Sequence, residues 1–214
     1  MSVEGSVVVI TGGASGIGRY LARNFASKGA KVVVADVRPM HNVLSELSGL
    51  GADAIGVLTD VSNEASVRNL FEAAYQRHGR IDTLLNNAAI ATHSHTGAPR
   101  WPRVRDMNLE FASKVIDTNI VGTLLCCKYA LPYMESLNAG HVINFGQGNL
   151  HQSDPLVKVI GHGVYGMTKV AIRALTKFIA EEERERNISV VSMIPGVPGA
   201  GPIPTASGPP RGGS

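Results

Sequence analysis

"VVVITGGASGIGRYLARNFASKGAKVVVAD", residues 7 to 36, packs two apolar runs, a glycine-rich turn and a helical pattern into one short stretch. "VVVI" (7–10) is β-branched and too short for a helix, and "KVVVAD" (31–36) is a second such run. The stretch between them predicts a helix over roughly 16–28. Two strands joined through a helix lie parallel, and the crossover between them is right-handed. One strand–helix–strand unit is therefore legible before the rest of the chain is read.

The alternation continues outward. A short helix is expected around 40–49, a strand at "DAIGVLTD" (53–60), and a helix over about 62–78, where Val67, Leu70, Phe71 and Ala74 hold helical spacing. "IDTLLNNA" (81–88) is a fourth strand, followed by a loop (91–102) and a long helix over about 104–137. Pro132 should kink that helix or mark its last turns. "HVINF" (141–145) is a fifth strand, "GVYGMTKVAIRALTKFIAEEERER" a helix, and "ISVVSMI" (188–194) a sixth strand. Strands apolar on both faces imply an α/β fold: a doubly wound, Rossmann-like parallel sheet with helices on both sides. Residues 1–196 read as one domain. Residues 195–214 carry six prolines and six glycines in twenty positions, so 197–214 read as a disordered tail.

The turn carries chemistry. Gly12 permits a tight reversal, Gly16 lets backbone approach a pyrophosphate, and Gly18 lets the helix pack closely on the strand. The helix N-terminus offers unpaired N–H groups and a positive partial charge to phosphates. Asp36 ends the second strand, eighteen residues past Gly18. A carboxylate there accepts from ribose hydroxyls and repels a 2′-phosphate, which favours NAD over NADP. Arg38, two residues on, softens that preference.

Composition narrows the classes. A net charge of +3, scattered basic residues and 5% aromatic content do not form the patch that nucleic acid requires. Cys126 and Cys127 are adjacent in a helical pattern, which suits two small core residues in a reducing compartment. His93 and His95 share a loop without further ligand spacing, so no metal site is expected. The first apolar run is too short for a signal peptide and none is long enough for a membrane span. The chain reads as cytoplasmic, with no nucleic-acid or membrane partner.

These landmarks, with Asp60-Val61 after the third strand, "NNAA" (86–89), Asn119 in "DTNIVGT", "YGMTK" (165–169) and "IPG" (194–196), occur in one order. In that order the chain resembles the short-chain dehydrogenase/reductase family, in its single-domain form, over about residues 5–196. The resemblance implies that Gly12, Ser15, Gly16, Ile17 and Gly18 hold the cofactor's phosphates and that Asp36 holds its ribose. It implies that Asp60 and Val61 contact the adenine, Asn87 braces the central strands, and Ala88, Ala89 and Ile90 line the cofactor's ribose. Pro195 and Gly196 would shape the nicotinamide pocket. Ala89 stands where the family usually has glycine, which is tolerable if its φ is negative.

The same resemblance makes Tyr165 the acid/base. Lys169, one helical turn on, would tune it and bind cofactor ribose, and Asn119 would hold a relay water. A fixed ammonium beside a positive nicotinamide would lower the tyrosine pKa from its ordinary ~10. The serine that the family places beyond the fifth strand is absent. Gln147 inherits the position when the strand is the anchor, and its amide can hold a carbonyl. Ser153 inherits it when the count runs back from Tyr165. A helical lid and seventh strand are also expected from the family, and the Pro/Gly stretch stands in their place. The sixth strand is then a sheet edge.

Two functions follow as expectations. One is an NAD-dependent oxidoreductase interconverting a secondary alcohol and a ketone. The other is an impaired relative that binds nucleotide without turnover. A homo-oligomer through the helices carrying Asn119 and Tyr165 is expected in either case. "EEERER" (181–186) reads as a solvated helix end with Glu181–Arg184 and Glu182–Arg186 pairs. Trp101 lines the substrate mouth or anchors its loop.

Overall fold

The computed structural model describes residues 2–90, 102–146 and 161–194. The unit read from residues 7–36 is present as β1 (Val7–Thr11), α1 (Gly16–Ala26) and β2 (Lys31–Asp36). It continues through α2 (His41–Gly49), β3 (Ala54–Leu58), α3 (Glu64–His78) and β4 (Thr83–Asn86). Then come α4 (Leu109–Ile116), α5 (Gly122–Leu137), β5 (Gly140–Phe145), α6 (Gly163–Glu182) and β6 (Ile188–Met193).

All six strands are parallel, in the order β3-β2-β1-β4-β5-β6. The order reverses between β1 and β4. At such a switch point the loops leave in opposite directions and open a crevice beyond the strands' carboxyl ends. Gly12 follows β1 and Asn87 follows β4, so both border that crevice.

The strands are buried because each face meets helices. Val7 and Val9 of β1 and Val33 and Ala35 of β2 enter one core with Leu70, Phe71, Cys126, Cys127 and Ile179. Val8, Ile10, Val32 and Val34 enter the other with Ala22, Ala26, Val43 and Leu47. The alternation is the two-residue period of a strand. Each fully buried side chain of this size contributes roughly 1.5–3 kcal/mol.

Two expectations change in detail. The long helix begins at Leu109, after a short 3-10 turn at Val104–Asp106, and a π-helical stretch, Asp117–Val121, separates α4 from α5. Pro132 lies within α5, which runs five residues further to Leu137. The Glu182–Arg186 pair does not form: α6 ends at Glu182, a 3-10 turn follows, and Arg186 faces Glu183 at 3.6 Å and Glu135 at 4.0 Å. Arg184 does pair with Glu181, at 3.2 Å.

Candidate active site

The glycine turn is a steric fit between protein parts on one side and open on the other. Gly12 has φ 66°, and a Cβ there would stand 2.8 Å from the Ala88 Cα. A Cβ on Gly18 would stand 2.2 Å from the Gly12 carbonyl oxygen, so only glycine lets α1 close on the turn. Gly16, at φ 53°, meets nothing within 4 Å. Ser15 is the extended N-cap residue of α1; its side chain makes no capping bond, and the helix's first turn holds no acid. Ile17 is about half exposed. The α1 N-terminus therefore keeps its dipole for a ligand.

Asn87 braces the turn as expected. Its Nδ2 donates to the carbonyls of Thr11 (3.0 Å) and Gly12 (3.1 Å), while Thr11 Oγ1 accepts the N–H groups of Asn87 and Ala88, each at 3.1 Å. Ala89 adopts no positive φ; Asn138 and Asn187 are the described non-glycine residues that do. The methyl group is accommodated.

Asp36 is buried at the end of β2 and already engaged. Its Oδ1 accepts from the Arg38 N–H and Nε, and its Oδ2 from the Ala14 N–H and Arg38 Nη2, all at 3.0 Å. Burial alone would raise the carboxyl pKa, but the bonds from Arg38 and Ala14 outweigh it and hold the pKa below the ordinary range. Asp36 thus carries its own counter-ion.

Beyond Asp36 lies a cavity of about 850 Å³, lined by Gly12, Arg38, Asp60, Val61, Ala88, Ala89 and Ile90 and walled opposite by Phe111 and Lys114 of α4. Asp60 is exposed, and its Oδ1 accepts from the Ser62 N–H (2.9 Å) and hydroxyl (2.6 Å). Val61 is 6% exposed, and the Cβ that Gly122 lacks would fall 2.7 Å from its Cγ2. The α4 wall was not legible in the sequence, because nothing in its pattern marks which helical face meets the crevice.

Tyr165 and Lys169 share one face of α6, as their spacing implied. The Lys169 ammonium lies 5.5 Å from the Tyr165 ring centroid and donates to the Phe145 carbonyl, at the end of β5, at 2.7 Å. Burial pushes the Lys169 pKa down to about 8. Burial also raises the Tyr165 hydroxyl above its ordinary value. In the chain by itself burial sets the direction, and the lowering expected from the ammonium together with a positive nicotinamide does not appear. The His162 ring lies 5.8 Å from the Tyr165 ring.

Asn119 sits in the π-helical stretch with no exposed surface. Its Oδ1 accepts from the Ile90 N–H at 2.8 Å, and its Nδ2 donates to the Ile90 carbonyl (3.3 Å) and Thr168 Oγ1 (3.0 Å). Its own carbonyl accepts from Thr123 Oγ1 at 2.7 Å. Beside it, Asn86 Nδ2 donates to Asn144 Oδ1 at 2.8 Å and Asn144 Nδ2 to Thr176 Oγ1 at 3.0 Å, linking β4, β5 and α6. That ladder was missed, although amides inside otherwise apolar strands were its signal. Gln147, Ser153, Pro195, Gly196, Trp101, His93, His95 and the tail at 197–214 lie outside the described residues.

Comparison with known proteins agrees with this arrangement. A family model described as short chain dehydrogenase matches residues 6–201. An uncharacterized oxidoreductase of Thermotoga maritima is 33% identical over 196 residues, covering 91% of this chain and 72% of that protein. The 2,5-dichloro-2,5-cyclohexadiene-1,4-diol dehydrogenase LinX of Sphingobium indicum is 32% identical over the same share of this chain and 73% of its own. The crystal structure of a short-chain type dehydrogenase/reductase from Mycobacterium marinum superposes with a TM-score of 0.80 at 28% identity, covering 91% of this chain and 76% of that one. By that match, which spans nearly its whole length, the chain belongs to the short-chain dehydrogenase family and is an oxidoreductase of that family.

Proposed function

We propose that the chain is an NAD-preferring oxidoreductase that interconverts a secondary alcohol and a ketone, with Tyr165 as acid/base. The observation that carries this is Lys169. A lysine only 6% exposed, donating to a strand-end carbonyl and with an aromatic hydroxyl-bearing ring beside it, is a costly arrangement for packing alone.

The residues present fit a dinucleotide. The open side of Gly16 leaves room for a pyrophosphate at the α1 N-terminus. The cavity volume lies in the range of small-molecule sites, roughly 300–1,000 Å³. Asp36, Asp60 and Val61 would hold the adenosine half, Gly12, Ser15, Gly16, Ile17 and Gly18 the phosphates, and Asn87, Ala88 and Ala89, with Pro195 and Gly196, the nicotinamide half. Bound NAD supplies the hydride acceptor for alcohol oxidation, and NADH the donor for the reverse. Asp36 favours NAD over NADP.

Tyr165, protonated at neutral pH as a phenol ordinarily is, and held so more firmly by its burial, is set to give a proton to a ketone oxygen. In the oxidising direction its phenolate, favoured by the nearby Lys169 charge, takes the alcohol proton and returns to the neutral phenol; that charge is mostly retained at neutral pH with a pKa of about 8. Asn119 would support the proton relay. Gln147, two positions after β5 in the sequence, would orient the substrate oxygen with its amide, or Ser153 would do so. LinX, a diol dehydrogenase, supports a hydroxyl-bearing substrate. A dimer through α4–α5 and α6 is part of the proposal: Leu124, Met167, Val170 and Phe178 are exposed apolar side chains on those helices.

The test is an assay of alcohols with NAD comparing the parent with Tyr165→Phe. The reading expects a loss of at least ~100-fold, and a variant as active as the parent overturns it. The glutamine following β5 in place of serine favours a second reading, nucleotide binding without turnover. An inactive parent that binds NADH and gains nothing from Gln147→Ser would select it.

A further inference from the structure

A chain of hydrogen bonds runs from the nucleotide cavity to the turn of α6 that carries Tyr165. The Ile90 backbone, on the cavity wall, exchanges bonds with the Asn119 amide at 2.8 and 3.3 Å. Asn119 Nδ2 donates to Thr168 Oγ1 at 3.0 Å, and Thr168 donates its hydroxyl to the Tyr165 carbonyl at 2.7 Å. Asn119 and Thr168 have no exposed surface. The central Asn119–Thr168 link is therefore shielded from competing water, and the outer links are partly so.

Thr176, two turns further along α6, has the same local pattern. It donates to the Ile172 carbonyl at 2.7 Å and accepts from Asn144 at 3.0 Å. Its link ends on Asn144 of β5, whereas that of Thr168 ends on the backbone of Ile90, which lines the cavity. The two links fix α6 at two levels. The upper one falls in the second turn of α6, the turn next to Tyr165. Asn119 lies in the π-helical stretch at Asp117–Val121 and from there reaches both Ile90 and Thr168.

We infer that Thr168 is a positioning residue: through Asn119 it registers Tyr165 against the cavity wall, so that the hydroxyl and the bound cofactor keep one geometry. This rests on the reading of Tyr165 as the acid/base. Thr168 touches no reacting atom. Its contribution is the orientation of the turn, and small misplacements of a reacting group cost large factors in rate.

The experiment compares Thr168→Val and Thr168→Ser with the parent and with Tyr165→Phe. The readouts are kcat against KM, the pH profile of kcat, and the Kd for NADH from fluorescence titration. The inference expects Thr168→Val to lower kcat about 10- to 100-fold, with the NADH Kd within about threefold of the parent. It also expects the rising limb of alcohol oxidation to move to higher pH, and Thr168→Ser to restore rate and limb. If Thr168→Val does not fold, as judged by its thermal melt, Thr168→Ala is read by the same criteria. Parental kcat and pH limb in the folded variant would overturn it. So would losses of binding and turnover in equal measure, or no restoration by serine. Tyr165→Phe with parental activity would instead overturn the underlying reading.

Discussion

Lys169 illustrates how a single residue is held against its own stability. Lowering its pKa from 10.5 to about 8 corresponds to roughly 3 kcal/mol, and removing the side chain would leave the Phe145 carbonyl without this donor, at about 1–2 kcal/mol. A buried base with a depressed pKa binds protons less readily folded than unfolded. Its cost is thus small above pH 10.5, grows as pH falls towards 8, and is constant below. Lys169→Met is expected to abolish turnover yet raise the melting temperature by about 2–4 °C at pH 7, the gain vanishing as pH rises past 10. Arg38 offers a second test. Its removal frees two side-chain bonds on Asp36 and leaves that charge uncompensated. Arg38→Ala should tighten NADH about 3- to 10-fold and weaken NADPH about tenfold, as read by titration with each. Unchanged affinities would show that Arg38 has no part in the discrimination.

Among the elements, the turn between β1 and α1 sorts its glycines by what each touches. A Cβ on Gly18 would press on the Gly12 backbone at 2.2 Å, with no flexible group to give way. Gly18→Ala should therefore cost about 3 kcal/mol or more and abolish NADH binding. Gly16 has open space around it, and Gly16→Ala should cost only about 1–2 kcal/mol for its left-handed backbone. Urea midpoints separate the two, and equal costs would contradict this account of the turn. This unit was legible in the sequence because strand, turn and helix are local and each glycine has a local reason. The π-helical stretch at Asp117–Val121 was not legible. "DTNIV" is ordinary helical sequence, and what widens the helix there is Asn119 bonding to Ile90, twenty-nine positions away. The Asn86–Asn144 pair likewise depends on β4 and β5 meeting in one register. The Tyr165–Lys169 pair was visible from spacing. Where the ammonium rests, on the Phe145 carbonyl, was decided by the packing of α6 on β5.

At the scale of the molecule, six strands separated by five helical segments announced a doubly wound sheet, but its reversal between β1 and β4 follows from how the crossovers pack and places the crevice. Burial explains most helical faces. Met167, Val170 and Phe178 are left exposed along α6, three to eight positions apart on one side. Met167→Glu with Phe178→Glu should convert a dimer to a folded monomer by light scattering, and an unchanged mass would contradict an interface through α6. Above all of this stands one claim: a nicotinamide dinucleotide lies across the Gly12–Gly18 turn and reaches the Tyr165 side of the crevice. Titrating the folded chain with NADH while following cofactor fluorescence tests it most directly. The account predicts saturable enhancement with a Kd in the micromolar range, on the order of 1–100 μM, lost in Gly18→Ala. A folded chain that shows no saturable signal with either NADH or NADPH would contradict it.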